Sequence, residues 1–435
     1  MKNILRWPVL WWLRFWARQV LKINRPFIVG VTGSAGKSSA VDAIAPVLRL
    51  KFKNLKVAEK ANSESGIPAD ILGLHFIDYS FFDWLKICLL APLKALHSVF
   101  SIQHSAFDCY LVEMGIDEPT LPKNMEYLLT ILHPDIGVIL NALPVHTQQF
   151  GSVATIAKEK GKLVTQNPDL QYAILNADQP EIISLKPVDE ARIVTFGRKK
   201  NADVVIKSIL PSLDGTSISL FINHKSYFIN LLNLALPNYY SETMAVAATV
   251  GMILDLPVKK ISEALTANFN LPPGRGRIFQ GIKNTTIIDS SYNASGKTMN
   301  GSLEMLKNIG GGKIKIAVLG DMRELGSQAE IEHKKVAETA IKSADKIILV
   351  GPLMKQYFLP AIQQSKLPVE WFSAAGEAAN YLTKNLSGNE IILVKGSQNT
   401  IFLEIMVEAL LKNKSDVENL CRRGKFWDKK RKPFI

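Results

Sequence analysis

The chain has 435 residues, which is too long for one hydrophobic core, so two or three domains are expected. A hydrophobic content of 47% excludes an intrinsically disordered protein, and 3 dispersed cysteines exclude a disulfide framework or a cysteine-rich metal site. The net charge of +13 leaves nucleic acid, an anionic membrane or a phosphate-rich substrate as partners.

Residues 1–25 form a basic and aromatic segment without an acidic residue. Arg14, Arg18 and Lys22 are spaced to share one helix face. The apolar run 7–13 is too short to span a bilayer, and no signal-peptide cleavage site follows it. The pattern predicts a helix lying in a membrane interface, and the alternative is a helix packed on the protein's own body. The tryptophans that favour the interface are Trp7, Trp11, Trp12 and Trp16.

Residues 27–39 predict a buried strand, a glycine-rich turn and a helix that opens at Ser38. Such a turn directs backbone N–H groups at one centre, and the helix dipole adds positive potential. Lys37 is placed to reach the β- and γ-phosphates of a nucleotide, and the Ser38 hydroxyl to ligate Mg²⁺. The strict phosphate-loop pattern has glycine where Val31 stands, so an ordinary strand-to-helix turn is the alternative.

Two contrasting segments follow the phosphate loop. Residues 61–68 read as a polar loop with a glycine and a proline. Residues 74–100 are strongly apolar and predict one or two amphipathic helices, broken at Pro92. These helices belong either to the core or to a second membrane-facing element.

The next strands end in polar residues. A strand over 110–112 ends at Glu113, and a strand over 136–140 is followed by His146. Because open α/β sheets bind ligands at the carboxyl ends of their strands, Glu113, His146 and Ser38 are expected to converge on a metal–nucleotide site. Lys158, Lys160 and Lys162 on the following helix have the pattern of a solvated face.

The remaining chain predicts a β-rich stretch over 203–232, two helices and a proline- and glycine-containing linker at 271–277. Strands and helices then alternate again, which predicts a second doubly wound α/β domain. The expected helices are Ser241–Leu254, Val258–Asn268, Lys297–Asn308, Gln328–Ser343, Ala375–Leu386 and Thr400–Lys412. The expected strands of the second domain are Thr286–Asp289, Lys315–Leu319, Lys346–Val350 and Glu390–Val394.

The segment Gly30–Ser39 resembles the ATP loop of the Mur ligases, G-x-T-G-S/T-x-G-K-S/T-S/T. The resemblance continues in order along the chain and is closest to the MurF branch, which adds D-alanyl-D-alanine. The matching segments are 62–68, 112–115, 145–152, 157–161, 175–178, 195–197, 273–275, 289–294, 319–326 and 394–397. The implied fold is α/β: a P-loop-type central ATPase domain with a parallel sheet, followed by a Rossmann-like C-terminal domain.

The resemblance implies a role for each matching residue. Lys37 would bind phosphates, Ser38 and Glu113 one Mg²⁺, and His146 a second. Lys160 matches a lysine that is carbamylated in several Mur ligases, and its carbamate would be a metal ligand. The remaining implied residues are Gly33, Ser34, Ala35, Gly36, Ser39, Arg275, Asp289 and Asn293 for ATP, and Asn62, Ser63, Asp321, Lys395 and Ser397 for the other substrates.

The implied activity is ATP-dependent amide bond formation through an acyl phosphate, adding D-alanyl-D-alanine to a UDP-MurNAc-tripeptide in peptidoglycan synthesis. The expected protein is a cytoplasmic monomer that acts on small-molecule and peptide substrates rather than nucleic acid. Peripheral contact with an anionic membrane is expected through 1–25 and 74–100. The expected boundaries are 1–25, a central domain 26–271 with the insert 74–100, a C-terminal domain 272–420 and a basic tail 421–435.

Two departures from the family pattern keep other readings open. Only residues 1–26 precede the ATP loop, whereas Mur ligases usually begin with a separate UDP-binding domain. Gln398 stands where an arginine often follows Lys-Gly-Ser, and arginine is a natural carboxylate clamp. The alternatives are a Mur-like ligase that uses another amino acid or peptide and a membrane-bound acceptor, a P-loop NTPase of another class, and a degenerate ligase kept as a membrane-associated scaffold.

Overall fold

The computed structural model describes residues 3–59, 61–76, 80–100, 107–143, 150–188, 190–397 and 401–434. The chain divides into two compact units. Unit 1 comprises 1–208, 219–229 and 241–269, and unit 2 comprises 209–218, 230–240 and 270–435. The described strands form two sheets in which parallel pairing predominates.

The described elements follow the hydrophobic periodicity of the sequence. The helices are α1 (Asn3–Asn24), α2 (Lys37–Leu48), α3 (Gly66–Ile71), α4 (Phe81–Phe100), α5 (Met125–Leu129), α6 (Val153–Thr165), α7 (Pro180–Ile183), α8 (Tyr240–Ile253), α9 (Val258–Asn268), α10 (Gly296–Asn308), α11 (Ala329–Ala340), α12 (Leu359–Ala361), α13 (Ala375–Asn385), α14 (Glu404–Leu410) and α15 (Lys425–Arg431). The strands are β1 (Phe27–Thr32), β2 (Leu55–Val57), β3 (Cys109–Glu113), β4 (Ile136–Ile139), β5 (Tyr172–Asn176), β6 (Arg192–Gly197), β7 (Val204–Pro211), β8 (Gly215–Ile222), β9 (Lys225–Leu232), β10 (Arg277–Gln280), β11 (Thr286–Ser290), β12 (Lys315–Gly320), β13 (Lys346–Val350), β14 (Val369–Phe372) and β15 (Ile391–Lys395).

The first sheet has nine strands in the order β2-β3-β1-β4-β5-β6-β7-β8-β9. Its first six strands pair in parallel, and β6 also pairs in parallel with β7. β1 lies between β3 and β4, and Val31 is in register with both Glu113 and Val138. The carboxyl ends of the three strands therefore meet at one edge, where α/β sheets bind ligands.

The second sheet has six strands in the order β10-β11-β15-β12-β13-β14. Only the β10–β11 pair is antiparallel among its described pairings. The central strands are almost continuously apolar and buried, as expected for a parallel sheet covered on both faces. The expected α/β fold with a second doubly wound domain is therefore confirmed.

α1 and α4 pack against one another on unit 1, and their inner faces join the same hydrophobic core. The expected break at Pro92 is wrong, because α4 continues through this residue. Proline has no N–H to donate to the carbonyl four residues earlier, which belongs to Cys88. The Trp12 indole donates to that carbonyl at 3.0 Å, so a neighbouring helix supplies the missing donor. Among the described residues, no helix combines the length and apolarity that crossing a bilayer requires.

One other segment differs from its sequence-based description. Residues 66–68 begin α3 instead of completing a polar loop, and Pro68 is tolerated because it lies in the first helical turn. The basic tail is folded onto unit 2: Arg422 and Arg431 are buried, and Arg431 pairs with Glu408 at 3.2 Å.

Candidate active site

The phosphate loop connects β1 to α2 with the geometry that a nucleotide cradle needs. Gly36 adopts a φ of 82°, in the left-handed region that favours glycine. A Cβ atom on Gly33 would lie 2.9 Å from the Leu140 Cβ, so this position also requires glycine. The Lys37 Nζ donates to the Gly33 carbonyl at 3.1 Å, which folds the ammonium group back over the loop.

Asn141, two residues after the end of β4, contacts the phosphate loop. Its side-chain oxygen accepts from the Ala35 N–H at 2.9 Å, and its amide nitrogen donates to the Ala35 carbonyl at 3.0 Å. The Asn141 backbone carbonyl also accepts from the Ser34 N–H at 3.0 Å. The Ser34 hydroxyl in turn accepts from the Leu143 N–H at 2.9 Å. These hydrogen bonds tie the phosphate loop to the segment that follows β4.

Acidic groups surround the Lys37 side chain. Burial lowers the pKa of Lys37, while the charges of Glu113 and Asp117 oppose that shift. Glu113 is half-buried at the end of β3, in register with Val31 of the strand that leads into the phosphate loop. Lys37 and Glu113 thus lie near one another at one edge of the sheet, and the convergence of Glu113, Ser38 and His146 on a metal stays a prediction.

A small cavity of about 80 Å³ adjoins the phosphate loop. It brings together four segments that are separate in sequence: the phosphate loop, the start of the 62–68 segment, the stretch that follows β3, and α6. The residues that line it are Gly33, Ser34, Lys37, Asn62, Ser63, Glu64, Gly115, Ile116, Asp117, Lys123 and Lys160. The structure therefore joins predicted ATP-binding, metal-binding and substrate residues around one space.

Lys160 differs from the other lysines of its helix. Lys158 is exposed, and Lys162 pairs with Glu159 at 2.8 Å, whereas Lys160 is only 4% exposed and lines the cavity. Burial lowers the pKa of Lys160 to about 7, the positive charge of Lys37 acts in the same direction, and Asp117 and Glu159 oppose the shift. A solvated face, the reading from charge pattern alone, is therefore wrong for Lys160.

Sequence reasoning missed three charged residues of the cavity: Glu64, Asp117 and Lys123. Asp117 lies four residues after the end of β3, so its proximity to a strand end was a signal that could have identified it. No sequence motif or residue spacing identified Glu64 or Lys123 as residues of the site. His146 and Gln398 lie outside the described residues.

The predicted residues of unit 2 form a second cluster of buried polar groups. Lys395 donates from Nζ to the Asn293 carbonyl at 3.0 Å. Burial lowers the pKa of Lys395 to about 8, Arg275 acts in the same direction, and Asp289 opposes the shift. The Arg275 guanidinium lies 4.9 Å from the centre of the Tyr292 ring. The Asp289 carboxyl is fully buried, and burial raises its pKa.

Asp321 and Ser397 have partners within unit 2. The Met354 N–H donates to the Asp321 carboxylate at 2.8 Å, and the Ser397 hydroxyl donates to the Ala294 carbonyl at 3.3 Å. The Arg323 N–H donates to the Ser397 hydroxyl at 3.0 Å. These contacts order the loops that follow β12 and β15, and contact with an amine substrate stays a prediction.

Unit 1 and unit 2 together define the chain as an α/β protein with a phosphate-binding loop and an additional doubly wound domain. Residues 31–249 match the Mur ligase middle domain, and residues 274–398 match the Mur ligase, glutamate ligase domain. The chain belongs to the Mur ligase family, whose members are ATP-dependent ligases.

The curated relatives have one name in common. The UDP-N-acetylmuramoyl-tripeptide--D-alanyl-D-alanine ligase of Escherichia coli (strain K12) is 27% identical over 407 residues, which cover 92% of this chain and 80% of that protein. The Mycobacterium bovis enzyme of the same name is 28% identical over 331 residues, which cover 74% of this chain and 58% of its own length. The chain thus spans between about three fifths and four fifths of these two relatives.

Solved structures show the same fold. The MurF ligase of Thermotoga maritima in complex with ADP superposes with a TM-score of 0.71 at 21% identity, covering 93% of this chain and 83% of that one. MurF from Acinetobacter baumannii gives a TM-score of 0.72 at 19% identity, covering 93% and 81%. The expected Mur ligase architecture is confirmed.

Proposed function

We propose that this chain is an ATP-dependent ligase of peptidoglycan precursor synthesis that joins D-alanyl-D-alanine to a UDP-N-acetylmuramoyl-tripeptide. The names of the curated relatives support the choice of substrates. The observation that carries the chemistry is the cavity that Lys37, Asn62 and Lys160 line together. The cation proposed to bind phosphate, the loop proposed to contact the substrate and a buried amine all line this one space.

The reaction must overcome the poor reactivity of a carboxylate. The substrate carboxylate attacks the γ-phosphorus of ATP, and the bond between that phosphorus and the β,γ-bridging oxygen breaks. ADP is the leaving group, and the product is an acyl phosphate. The amine of the second substrate then attacks the acyl carbon, the C–O bond to phosphate breaks, and the amine loses a proton. The backbone N–H groups of the phosphate loop and the Lys37 ammonium would stabilise the charge on the transferring phosphoryl group.

The oxygen groups at the phosphate loop fit a Mg²⁺ ion whose other ligands come from the phosphates of a nucleotide. No three His, Cys, Asp or Glu side chains form a metal cluster in the part of the chain that the structure describes. Mg²⁺ is usually held by one or two carboxylates together with substrate phosphates, so Glu113 and the Ser38 hydroxyl suffice as protein ligands. When bound, the ion supplies charge neutralisation at the phosphoryl group.

Lys160 would become a second anionic protein ligand, after the Glu113 carboxylate, through carbamylation. With a pKa of about 7, a large fraction of its amine is neutral at cellular pH, and only the neutral amine can attack carbon dioxide. The neutral amine forms a new N–C bond to carbon dioxide and releases one further proton, so the ammonium form loses two protons in all when it becomes the carbamate anion. Such an anion would stabilise a second Mg²⁺, for which His146 remains the other predicted ligand.

The remaining predicted contacts are assigned to unit 2. Arg275, Asp289 and Asn293 would contact ATP, and the unpartnered buried atoms Arg275 Nε and Asp289 Oδ2 support a polar ligand for two of them. Asp321, Lys395 and Ser397 would lie toward the amine substrate. Ser63 and Asn62 would contact the acyl substrate beside the phosphate loop.

The decisive experiment measures phosphate release from ATP by the purified full chain. UDP-N-acetylmuramoyl-tripeptide is supplied with and without D-alanyl-D-alanine, and the product is identified by mass spectrometry. Phosphate release that requires both substrates and gives a pentapeptide product would establish the proposal. Lys37→Ala serves as the inactive control, since it removes the phosphate-binding cation.

A different acceptor remains the competing assignment within the same chemistry. If the chain binds Mg-ATP but neither substrate stimulates phosphate release, the amine or the acyl group must differ, and lipid-linked acceptors become the next substrates to test. Stimulation of ATP hydrolysis by DNA or RNA would instead indicate another class of P-loop NTPase. We place the enzyme in the cytoplasm as a monomer, at the inner face of the membrane.

A further inference from the structure

The α1–α4 pair has two very different faces. The inner face is buried: Leu13 and Ala17 of α1, and Ile87 and Ala91 of α4, belong to the core of unit 1. We call the opposite side, formed by the outward side chains of both helices, the outer face. The two helices lie side by side there, joined by the Trp12–Cys88 hydrogen bond.

The outer face is unusually apolar for an exposed surface. Phe82 is 78% exposed and Leu89 is 64% exposed. Because residues three or four positions apart share one side of a helix, both lie on the same side of α4 as Leu85 and Leu93. Large exposed apolar patches mark sites of interaction rather than ordinary surface. The members of the patch are Phe81, Phe82, Leu85, Leu89, Leu93 and Leu96 on α4, and Trp7, Trp11 and Phe15 on α1.

Among the described residues of the two helices, the exposed charges beside this patch are all positive. Lys86 and Lys94 are exposed on α4, and Arg18 and Lys22 are exposed on α1. α1 contains no acidic residue, and the single acidic residue of α4, Asp83, is buried. An apolar surface bordered by cations is complementary to an anionic bilayer, whose headgroups carry negative charge above an apolar interior.

A basic groove borders α1 at the end of α5. It has a volume of about 530 Å³ and is lined by Arg14, Arg18 and Lys22 of α1 together with Trp11 and Phe15. One acidic side chain lines it, Asp169, and that carboxylate is paired with His133 at 2.7 Å. Basic side chains beside exposed aromatic rings match the headgroup region, where phosphate meets the upper part of the acyl chains.

We propose that the outer face of α1 and α4 is a docking surface for an anionic phospholipid bilayer, with both helices lying parallel to the membrane plane. The leucines and phenylalanines of α4 enter the upper acyl region, the tryptophans of α1 lie at headgroup depth, and the basic groove receives lipid phosphates. Charge complementarity favours a bilayer over a second copy of this chain, because two copies would bring their basic borders together.

The first test is co-flotation of the full chain with vesicles that contain 30% phosphatidylglycerol in phosphatidylcholine, in the absence of any ligase substrate. We expect binding to these vesicles and at least tenfold weaker binding to pure phosphatidylcholine. The double variant Leu85→Glu/Leu89→Glu should lose at least tenfold in vesicle affinity. Its matched control is Leu210→Glu/Leu232→Glu, which changes two leucines on strands elsewhere that are at least as exposed as Leu85 and Leu89.

The second test addresses the basic border. Lys86→Gln/Lys94→Gln should weaken binding to the anionic vesicles several-fold and reduce its salt dependence, while the control Lys199→Gln/Lys200→Gln should bind as wild type. Equal binding by the Leu85/Leu89 variant and its control would overturn the proposal. Concentration-dependent dimerisation that the Leu85/Leu89 variant abolishes, without vesicle binding by the wild type, would assign the surface to a second copy instead. Because these measurements need no turnover, their outcome is independent of the proposed ligase activity.

Discussion

Both units of this protein bury charged side chains, but they do so in different ways. In unit 1, Lys37 and Lys160 surround a cavity next to the phosphate loop. In unit 2, Lys395 donates to the Asn293 carbonyl, and Arg422 is paired with Glu404 at 3.5 Å while donating to the carbonyls of Ser291 and Tyr292. Buried charge in unit 1 therefore faces a space for ligands, whereas in unit 2 the chain itself supplies many of the partners.

This difference teaches that a lowered lysine pKa does not identify a reactive amine by itself. Burial lowers the pKa of Lys160 to about 7 and that of Lys395 to about 8. Of these two lysines, Lys160 is the one that lines the cavity beside the phosphate loop. Substitutions in unit 1 should consequently change turnover more than stability, and substitutions of the paired charges in unit 2 should do the reverse.

The largest effect is expected for Lys160→Met, which keeps the length of the side chain but cannot form a carbamate. We expect turnover to fall by about 10²–10³-fold, the range seen when one preorganised stabilising group is removed. The free energy of unfolding should not decrease, because burial disfavours the charged lysine at neutral pH. Steady-state kinetics and urea unfolding measure the two quantities.

The control for Lys160→Met is Lys158→Met on the exposed side of the same helix, which should have wild-type turnover. Labelled bicarbonate adds a readout besides activity: a carbamate signal in the ¹³C NMR spectrum should appear for wild type and be absent in Lys160→Met. Because the amine loses its proton as the pH rises through about 7, the signal should be stronger at pH 8 than at pH 6. Full turnover by Lys160→Met would refute the catalytic assignment.

In unit 2, Arg422→Met should act mainly on stability. It leaves the buried Glu404 carboxylate without its ion-pair partner, which costs about 3–5 kcal/mol when one member of a buried pair is removed. Urea unfolding monitored by fluorescence measures this loss. The double variant Arg422→Met/Glu404→Gln should recover part of the lost unfolding free energy. If Arg422→Met alone unfolds with the wild-type free energy, the proposed difference between buried charges in unit 1 and unit 2 is contradicted.

An intermediate effect is expected for Asn141→Ala. The substitution removes both side-chain hydrogen bonds to the Ala35 backbone and so loosens the phosphate loop. We expect the KM for ATP to rise by about tenfold, equivalent to about 1.4 kcal/mol, the sum of two modest hydrogen bonds. Leu143→Ala, at the other end of the segment that contacts the loop, keeps its backbone bonds to Ser34 and should change KM less.

The smallest effect is a pH dependence of stability from His333. Its Nδ1–H donates to the Ala329 carbonyl at 2.7 Å, and its Nε2 accepts from the Met322 N–H at 3.2 Å, so the ring is neutral. Burial lowers its pKa below the usual 6.5. The unfolded state therefore binds more protons between the two pKa values, and this contribution to stability is present above about pH 6.5 and is lost as the pH falls.

Comparison of unfolding at pH 7.5 and pH 5.5 tests the role of His333. Wild type should lose more stability than His333→Gln over this interval, by up to about 1 kcal/mol, since one pKa unit corresponds to about 1.4 kcal/mol. Equal losses in the two proteins would show that other groups account for the pH dependence.

Much of this protein could be predicted from local sequence. Glycines at required positions, Lys37 and a helix that opens directly after them identified the phosphate loop, because backbone conformation and helix dipole act over a few residues. Apolar strands alternating with amphipathic helices indicated two α/β domains, and the ordered motifs indicated the Mur ligase family. Helix α9 has the bounds that periodicity predicted.

Other features of this protein were decided only by the tertiary structure, because they depend on neighbours that are distant in sequence. Lys160 is reactive in our proposal and Lys158 is not, because one side of α6 is buried beside the phosphate loop and the other is solvated. Asn141 supports that loop only because β4 lies next to β1. α4 continues through Pro92 with Trp12, which lies 76 positions before Cys88, donating a hydrogen bond to the Cys88 carbonyl. Periodicity along one segment carries no information about such partners, since long-range packing alone brings them together.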